Sequence, residues 1–293
     1  MAMTEPTITP RTNSIYHRIL FALVVIIGGT VPLVAEALDG IDHGTKVVAS
    51  VSLWALWSVL LASVAIPSSI TLTALRLTAP THTAIVIVIA ASNLDTGSAI
   101  AVVLTVATTS IAFMAETGSY FVQRSAYGDE QRFLLRCPTP MAVVQILMWA
   151  LWISSAIVGS LALVNRAWVA GGVLVVLATV GLALLPQRFH RLSRRWLVRV
   201  PAGIVVHDHV LLAETAMFAR NALAAVEITR GAVGDDADLA GGGRAPGLRI
   251  TLHDFDTVVL AAAADHPGGR AIHVRSFRIR PSRPGRALRA LQN

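Results

Sequence analysis

The sequence predicts a membrane all-α bundle of about six transmembrane helices, followed by a small C-terminal, mainly-β soluble domain that ends in a helix. Three observations carry this. Of the 293 residues, 54% are hydrophobic and only 14% charged, against roughly 25% charged in a soluble globular chain. Apolar runs of spanning length recur through residues 1–187 and then stop. The charge divides at the same place: residues 1–187 hold eight Lys+Arg and eight Asp+Glu, whereas residues 188–293 hold sixteen Arg and nine acids. The net charge of +7 therefore belongs to the last third, and the two regions answer to different solvents.

A spanning helix needs about 20 mostly apolar residues to cross about 30 Å of hydrocarbon. Ile19–Leu38, Val47–Ile66, Gly97–Ala115, Met141–Val164 and Trp168–Pro186 meet this almost without charge. Thr78–Leu94 is the weak member, because it is short and carries His82 and Asn93. Its β-branched run Ala84–Ala91 reads as a strand in water, but between two spans it reads as a short helix. A re-entrant half-span over 79–91 is the alternative and leaves five crossings. Ser92–Thr96 is a turn-like break. The expected organisation is an N-terminal tail over 1–18, a six-helix domain over 19–187 and a basic β domain over 188–293.

Positive charge in short loops sets orientation. With the N-terminus inside, cytoplasmic segments carry Arg11, Arg18, Arg76, Arg124, Arg132 and Arg136, then the Arg-rich tail. The outer loops carry Lys46 and Arg166, and the first holds Glu36, Asp39 and Asp42. Six crossings thus predict both termini in the cytoplasm; five would put one terminus on the wrong side. Arginine outnumbers lysine 23 to 1, a mark of GC-rich coding that points to a bacterial plasma membrane. Ala35-Glu36-Ala37 after an apolar run resembles a signal-peptide cleavage site, but Ile19–Ala35 exceeds the usual apolar core of about 7–15 residues. The first helix is expected to stay as a span.

Ionisable groups in a bilayer are costly and read as functional by default. Glu36, His82, Asp95 and Glu116 form the candidate intramembrane polar site, although each falls near a predicted span end, where a headgroup-level residue is the plain reading. Trp54/Trp57 and Trp149/Trp152 are i,i+3 pairs on one helix face, suited to packing or to lipid. The loop Glu116–Pro140 alternates aromatic and basic residues and is expected to pack against the tail domain or the membrane surface. No G-x-S-x-G, H-E-x-x-H, P-loop or zinc spacing occurs, so no catalytic residue, metal ligand or cofactor is assigned. The single Cys137 excludes an intrachain disulfide and a Cys-based metal site within one chain.

In the tail, RFHRLSRRWLVR (188–199) places Arg188, Arg191, Arg194, Arg195 and Arg199 directly after the last span, with no acid among them. Such a cluster is attracted to anionic headgroups by about 1 kcal/mol per residue. It lacks a recognition-helix pattern, which argues against nucleic acid. Trp196, Val198 and Val200 alternate, Pro201-Ala202-Gly203 turns, and Ile204–Val206 returns as a strand. Ala224–Thr229 is a further strand, Asp235–Gly247 a flexible loop, and Leu248–His253 with Thr257–Ala261 a hairpin around Asp254. Ala271–Arg280 is a strand whose apolar parity shifts between Val274 and Phe277, which predicts a bulge. Gly285–Gln292 is a short basic helix. Arg278 and Arg280 share a strand face suited to a phosphate or an acidic partner. His207 and His209 have a spacing that can bind metal, with His253 and Asp254 as further ligands; a turn built on His-Asp-His is the plainer reading.

This order of elements over about 194–291 resembles the bacterial pleckstrin-homology-like domains that adjoin membrane helices, in architecture alone. RWLVRVPAGIVVHD (195–208), SAYGDEQRF (125–133) and RSFRIRPSRPGRAL (275–288) resemble uncharacterised integral membrane proteins of actinobacteria. That resemblance implies membrane location and no activity. The expected function is a non-enzymatic membrane anchor or scaffold whose cytoplasmic β domain binds a protein partner or anionic lipid. The alternative is a small transporter or channel with a regulatory domain.

Overall fold

The computed structural model describes residues 11–92, 95–231, 236–243, 245–262 and 266–292. The first ten residues of the expected N-terminal tail, Asn93 and Leu94 beside the break, and Asp235 and Arg244 of the Gly-rich loop lie outside them. Among the described residues six helices are long and apolar enough to cross a membrane: α1 (Arg11–Glu36), α2 (His43–Ala65), α3 (Ser69–Ser92), α4 (Thr96–Phe113), α6 (Thr139–Val164) and α7 (Trp168–Ser193). A short α5 (Ala115–Gln123) and strand β1 (Gln131–Leu134) lie between α4 and α6.

The third span is not short. It begins at Ser69, nine residues before the expected Thr78, and takes Arg76 into the helix. Ile66 precedes Pro67, a position that disfavours helix. Ser68 then caps the new helix: its Oγ accepts from Thr71 N at 3.1 Å, and Thr71 Oγ1 accepts from Ser68 N at 2.8 Å. This reciprocal pair satisfies backbone donors that a helix start leaves open. α7 likewise continues past Pro186 to Ser193.

Helices α1 to α4 form the packed bundle. On α1, Leu20, Val24, Ile27, Val31 and Val34 are at most 1% exposed, a 4-3-4-3 spacing that lays one face against neighbours. On α3 the matching stripe is Leu72, Leu75, Ala79, His82, Val86 and Ile89, all buried. Indole groups lock helices together. Trp57 Nε1 donates to Val24 O at 2.8 Å, and its ring lies so close to Gly28 that a Cβ there would stand 2.6 Å from it. Trp152 repeats the device on the α6–α7 hairpin, donating to Ala178 O at 2.9 Å over Gly181. Small residues thus permit the approach, and these Trp residues are packing keys.

The tail folds as two four-stranded sheets. Sheet 1 has the order β1-β2-β3-β4, with β2 (Trp196–Val200), β3 (Gly203–His207) and β4 (Ala216–Ala219), all antiparallel. Sheet 2 has the order β5-β7-β8-β6, with β5 (Leu223–Thr229), β6 (Ala237–Asp238), β7 (Gly247–Leu260) and β8 (Arg270–Ile279). Helix α8 (Pro284–Gln292) closes the domain. The expected hairpin around Asp254 is instead one 14-residue strand, β7. Thr251 pairs with Ser276 and Asp256 with Val274, so residues 252–255 bulge out opposite Arg275. This stretch has none of the Gly or Asn turn residues that reverse a chain, and both halves pair with β8.

Sheet 1 packs on both faces. Leu197, Ile204, Val206 and Phe218 face sheet 2, where Phe218 stacks on Phe277 at 4.8 Å. Trp196 and Val198 face the bundle and pack with Leu20, Val24, Leu60, Val64, Leu72, Leu75 and Phe121. The β domain is therefore seated on the bundle end that carries the first turns of α1 and α3.

Candidate functional site

The four candidate intramembrane groups do not converge. Glu36 is exposed at the last residue of α1. Asp95 caps α4 in a capping box with Ser98, whose side-chain and backbone hydrogen bonds hold the carboxyl below its usual range. Both stand at the end of the bundle away from the β domain. Glu116 opens α5 at the other end and pairs with Arg283 of the tail. His82 lies between these levels, 1% exposed, with neither ring nitrogen hydrogen-bonded among the described residues. On the stripe of α3, apolar clusters flank it on both sides.

The basic candidates divide by burial. Arg195 is 1% exposed and bound to Asp208, itself 1% exposed, through Nε–Oδ1 and Nη2–Oδ2 bonds of 2.8 Å each. Its Nη1 donates to Arg136 O at 2.9 Å, and Asp208 Oδ1 also accepts from Val210 N. Arg278 is buried and donates to Gly243 O and Ala245 O at 2.9 and 2.6 Å. Arg280 donates to Gly242 O at 2.5 Å, and burial, followed by the neighbouring Arg278, lowers its pKa. These three arginines brace the interior and the Gly-rich loop, so they are unavailable to an outside phosphate. Arg199 is half-buried on β2, whereas Arg188, Arg191 and Arg194 are exposed on the last turns of α7 and at its C-cap. Cations at a helix C-terminus also complement its dipole.

Asp208 explains the His-Asp-His sequence. Its carboxylate is committed to Arg195, and His207 stacks on Trp196 with ring centroids 5.0 Å apart. Among the described residues no group of three His, Cys, Asp or Glu is placed to hold a metal ion.

What the fold does build is a cleft of about 480 Å³ at the junction of bundle and β domain. Trp196, Val198 and Val200 of β2 and Val205 and His207 of β3 line it, with Ser69 and Ile70 of α3 and His190 and Arg194 of α7 opposite. Glu130 and Arg132 close a further side. Arg132 lies over the Trp196 ring at 5.3 Å and is held by Glu130 through Nε and Nη2 at 3.1 and 2.8 Å. His190 Nδ1 lies 2.9 Å from Thr73 Oγ1, which fixes the ring between α7 and α3. A second cleft, about 370 Å³, adjoins Arg191, Arg194 and His209, so Arg194 borders both. Sequence reading found Arg194, the alternating Trp196, Val198 and Val200, and His207 as separate features, but it did not bring them together with Ser69, Ile70, His190 and Arg132 in one cleft, which only tertiary packing does.

Comparison with protein-family models, with curated proteins and with solved structures returned no match to this chain.

Proposed function

We propose that the protein is a non-enzymatic, multi-pass membrane anchor of the bacterial plasma membrane, and that it holds its β domain against the anionic cytoplasmic leaflet. One observation carries the reading: three exposed arginines, Arg188, Arg191 and Arg194, end α7 at the level where the spans stop and the seated β domain begins. A juxtamembrane cluster of this kind is drawn to anionic lipid. Orientation is supported by charge. Arg124, Arg132, Arg136, Arg188, Arg191 and Arg194 lie on the domain side, while the far-side loops and helix ends hold Lys46 and Arg166 among Glu36, Asp39, Asp42 and Asp95. Two four-stranded sheets with a closing helix support the pleckstrin-homology-like reading. Strand β1 departs from it, being supplied from between two spans.

The transport reading has less support, since its four polar groups do not converge: Glu36 and Asp95 stand at one end of the bundle, Glu116 at the other and His82 between them. The test of the anchor reading uses the full chain in nanodiscs with and without anionic lipid. Anionic lipid is expected to raise thermal stability, and Arg188→Ala/Arg191→Ala is expected to remove much of the gain. Equal stability in the two lipids would overturn the reading.

A further inference from the structure

We infer that the cleft between sheet 1 and the ends of α3 and α7 is a binding site for the head of a single anionic phospholipid. This rests on the reading above only in placing the β domain at headgroup depth. A diffuse arginine surface needs no cleft, and a site for one molecule does.

The charge at the cleft is unbalanced in favour of an anion. Glu130 is committed to Arg132 by two hydrogen bonds, so that pair is internally neutral. Arg194 has no ion-pair partner among the described residues and stands exposed on the cleft wall. Its guanidinium offers the fork geometry that matches a phosphodiester. His190 is held beside it, with Nδ1 2.9 Å from Thr73 Oγ1; in the tautomer whose Nδ1 accepts the Thr73 hydroxyl proton, Nε2 carries the ring proton and can donate to an oxyanion. On the other side of Arg194, the second cleft adds Arg191 and His209 and, among the described residues, no acid.

The remaining lining separates a lipid from a soluble phosphate. Val198, Val200 and Val205 give the floor an apolar face, which a free phosphate cannot use and a glycerol backbone with the first acyl carbons can. Ile70 lines the cleft, and Ile66, the C-cap residue of α2, lies four positions earlier across the Pro67-Ser68 turn; each is 68% exposed where the spans end. They offer the acyl chains a continuous path from the cleft to the bilayer. The volume of about 480 Å³ falls within the range of roughly 300–1,000 Å³ typical of small-molecule sites.

The test uses the full chain in neutral detergent, exposed to an equal mixture of phosphatidylglycerol and phosphatidylcholine and read by native mass spectrometry. One phosphatidylglycerol per chain is expected to survive gentle activation. Arg194→Ala, at an exposed position that leaves the fold intact, is expected to weaken retention about tenfold, and Val205→Trp to abolish it by filling the floor. Unchanged retention in both variants would overturn the site. If Arg188→Ala/Arg191→Ala lowers the nanodisc preference while Arg194→Ala and Val205→Trp do nothing, the surface reading stands and the cleft falls. If the nanodisc preference is absent, the surface reading falls by itself. Displacement of the lipid by inorganic phosphate at equal concentration would overturn the lipid assignment.

Discussion

Phe133 and Leu134 are neighbours on β1, yet they belong to different cores. Phe133 packs between the two sheets, and Leu134 packs with the ends of the membrane helices. The alternation of a strand sends successive side chains to opposite faces, so four residues between two spans tie the β domain both to itself and to the bundle. β1 is pinned from outside as well: Arg132 N donates to Gln123 Oε1, Arg136 N to Arg280 O, and Ser282 N to Leu134 O. Phe133→Ala is expected to cost about 3–5 kcal/mol and Leu134→Ala about 2–5 kcal/mol. Limited proteolysis distinguishes them. Cleavage within sheet 2 should rise first in Phe133→Ala, and cleavage at the α7–β2 junction first in Leu134→Ala. A 194–293 fragment lacks β1 and bares the apolar face of Trp196 and Val198, so it should aggregate where the full chain does not.

The buried Arg195–Asp208 pair gives a second, opposite-signed test. Removing one partner strands a charge in the interior, which costs about 3–5 kcal/mol. Arg195→Met and Asp208→Leu should each lower the midpoint of thermal unfolding sharply. The double variant should recover most of the loss, because no unpaired charge remains and the groups left without that partner are neutral: the N–H of Val210 and Leu211 and the Arg136 carbonyl. Additive losses in the double variant would show that the pair contributes through something other than charge compensation.

The helical architecture was largely legible because lipid imposes a length and a composition, and no other solvent demands runs such as Met141–Val164. The third span was misplaced for a local reason: Arg76 looked like a loop residue. In the structure its Nε reaches Ala112 O and its guanidinium lies over Phe113, so one charge is absorbed at the end of a helix. The Pro67-Ser68 cap was the better boundary signal. In the tail, β2, β3, β5, β8 and α8 followed from alternation and turns, whereas β7 was read as two strands. The candidate site was less legible. An arginine on a strand reads the same whether it faces solvent, like Arg275, or a buried carbonyl, like Arg278; only tertiary packing decides.

Adjacent glycines on α1 provide a matched comparison. A Cβ on Gly28 would stand 2.6 Å from the Trp57 indole, while one on Gly29 would meet nothing within 4 Å. Gly28→Ala should displace Trp57 and lose its bond to Val24 O, at about 1–3 kcal/mol for overpacking. Gly29→Ala should be neutral or slightly stabilising, since Ala has the higher helix propensity. A red-shifted tryptophan emission in Gly28→Ala, absent from Gly29→Ala, is the direct readout.

His207 makes the seating of the domain sensitive to acid. Burial, then the charges of His209, Arg194 and Arg132, lower its pKa from 6.5 to about 4, with Asp208 opposing. The folded chain therefore binds fewer protons than the unfolded one between these two values. Stability follows the unfolded state's excess of protons and rises with pH across that window. The contribution is complete above about 6.5 and is lost as pH falls towards 4. Thermal midpoints should decline on acidification from pH 7 to 5, and the decline should be shallower in His207→Gln. Identical slopes would place the sensitivity on other groups.

Sidedness is the last prediction, and Cys137 is a poor reporter of it. The thiol is half-buried, and burial is the main cause of its raised pKa, so little of the reactive thiolate forms at neutral pH. A low yield would not distinguish the inside of the cell from the inside of the protein. Two exposed positions in a Cys137→Ser background avoid this. Asn165 lies in the far-side turn between α6 and α7, where its side chain donates to Leu161 O, and Tyr127 is 81% exposed on the domain side. With both termini in the cytoplasm, an impermeant maleimide added to intact cells should label Asn165→Cys and spare Tyr127→Cys until the cells are opened. The reverse pattern would invert the chain and move the exposed arginines of α7 to the outer leaflet. Labelling of both in intact cells is incompatible with Asn165 and Tyr127 standing at opposite ends of α6.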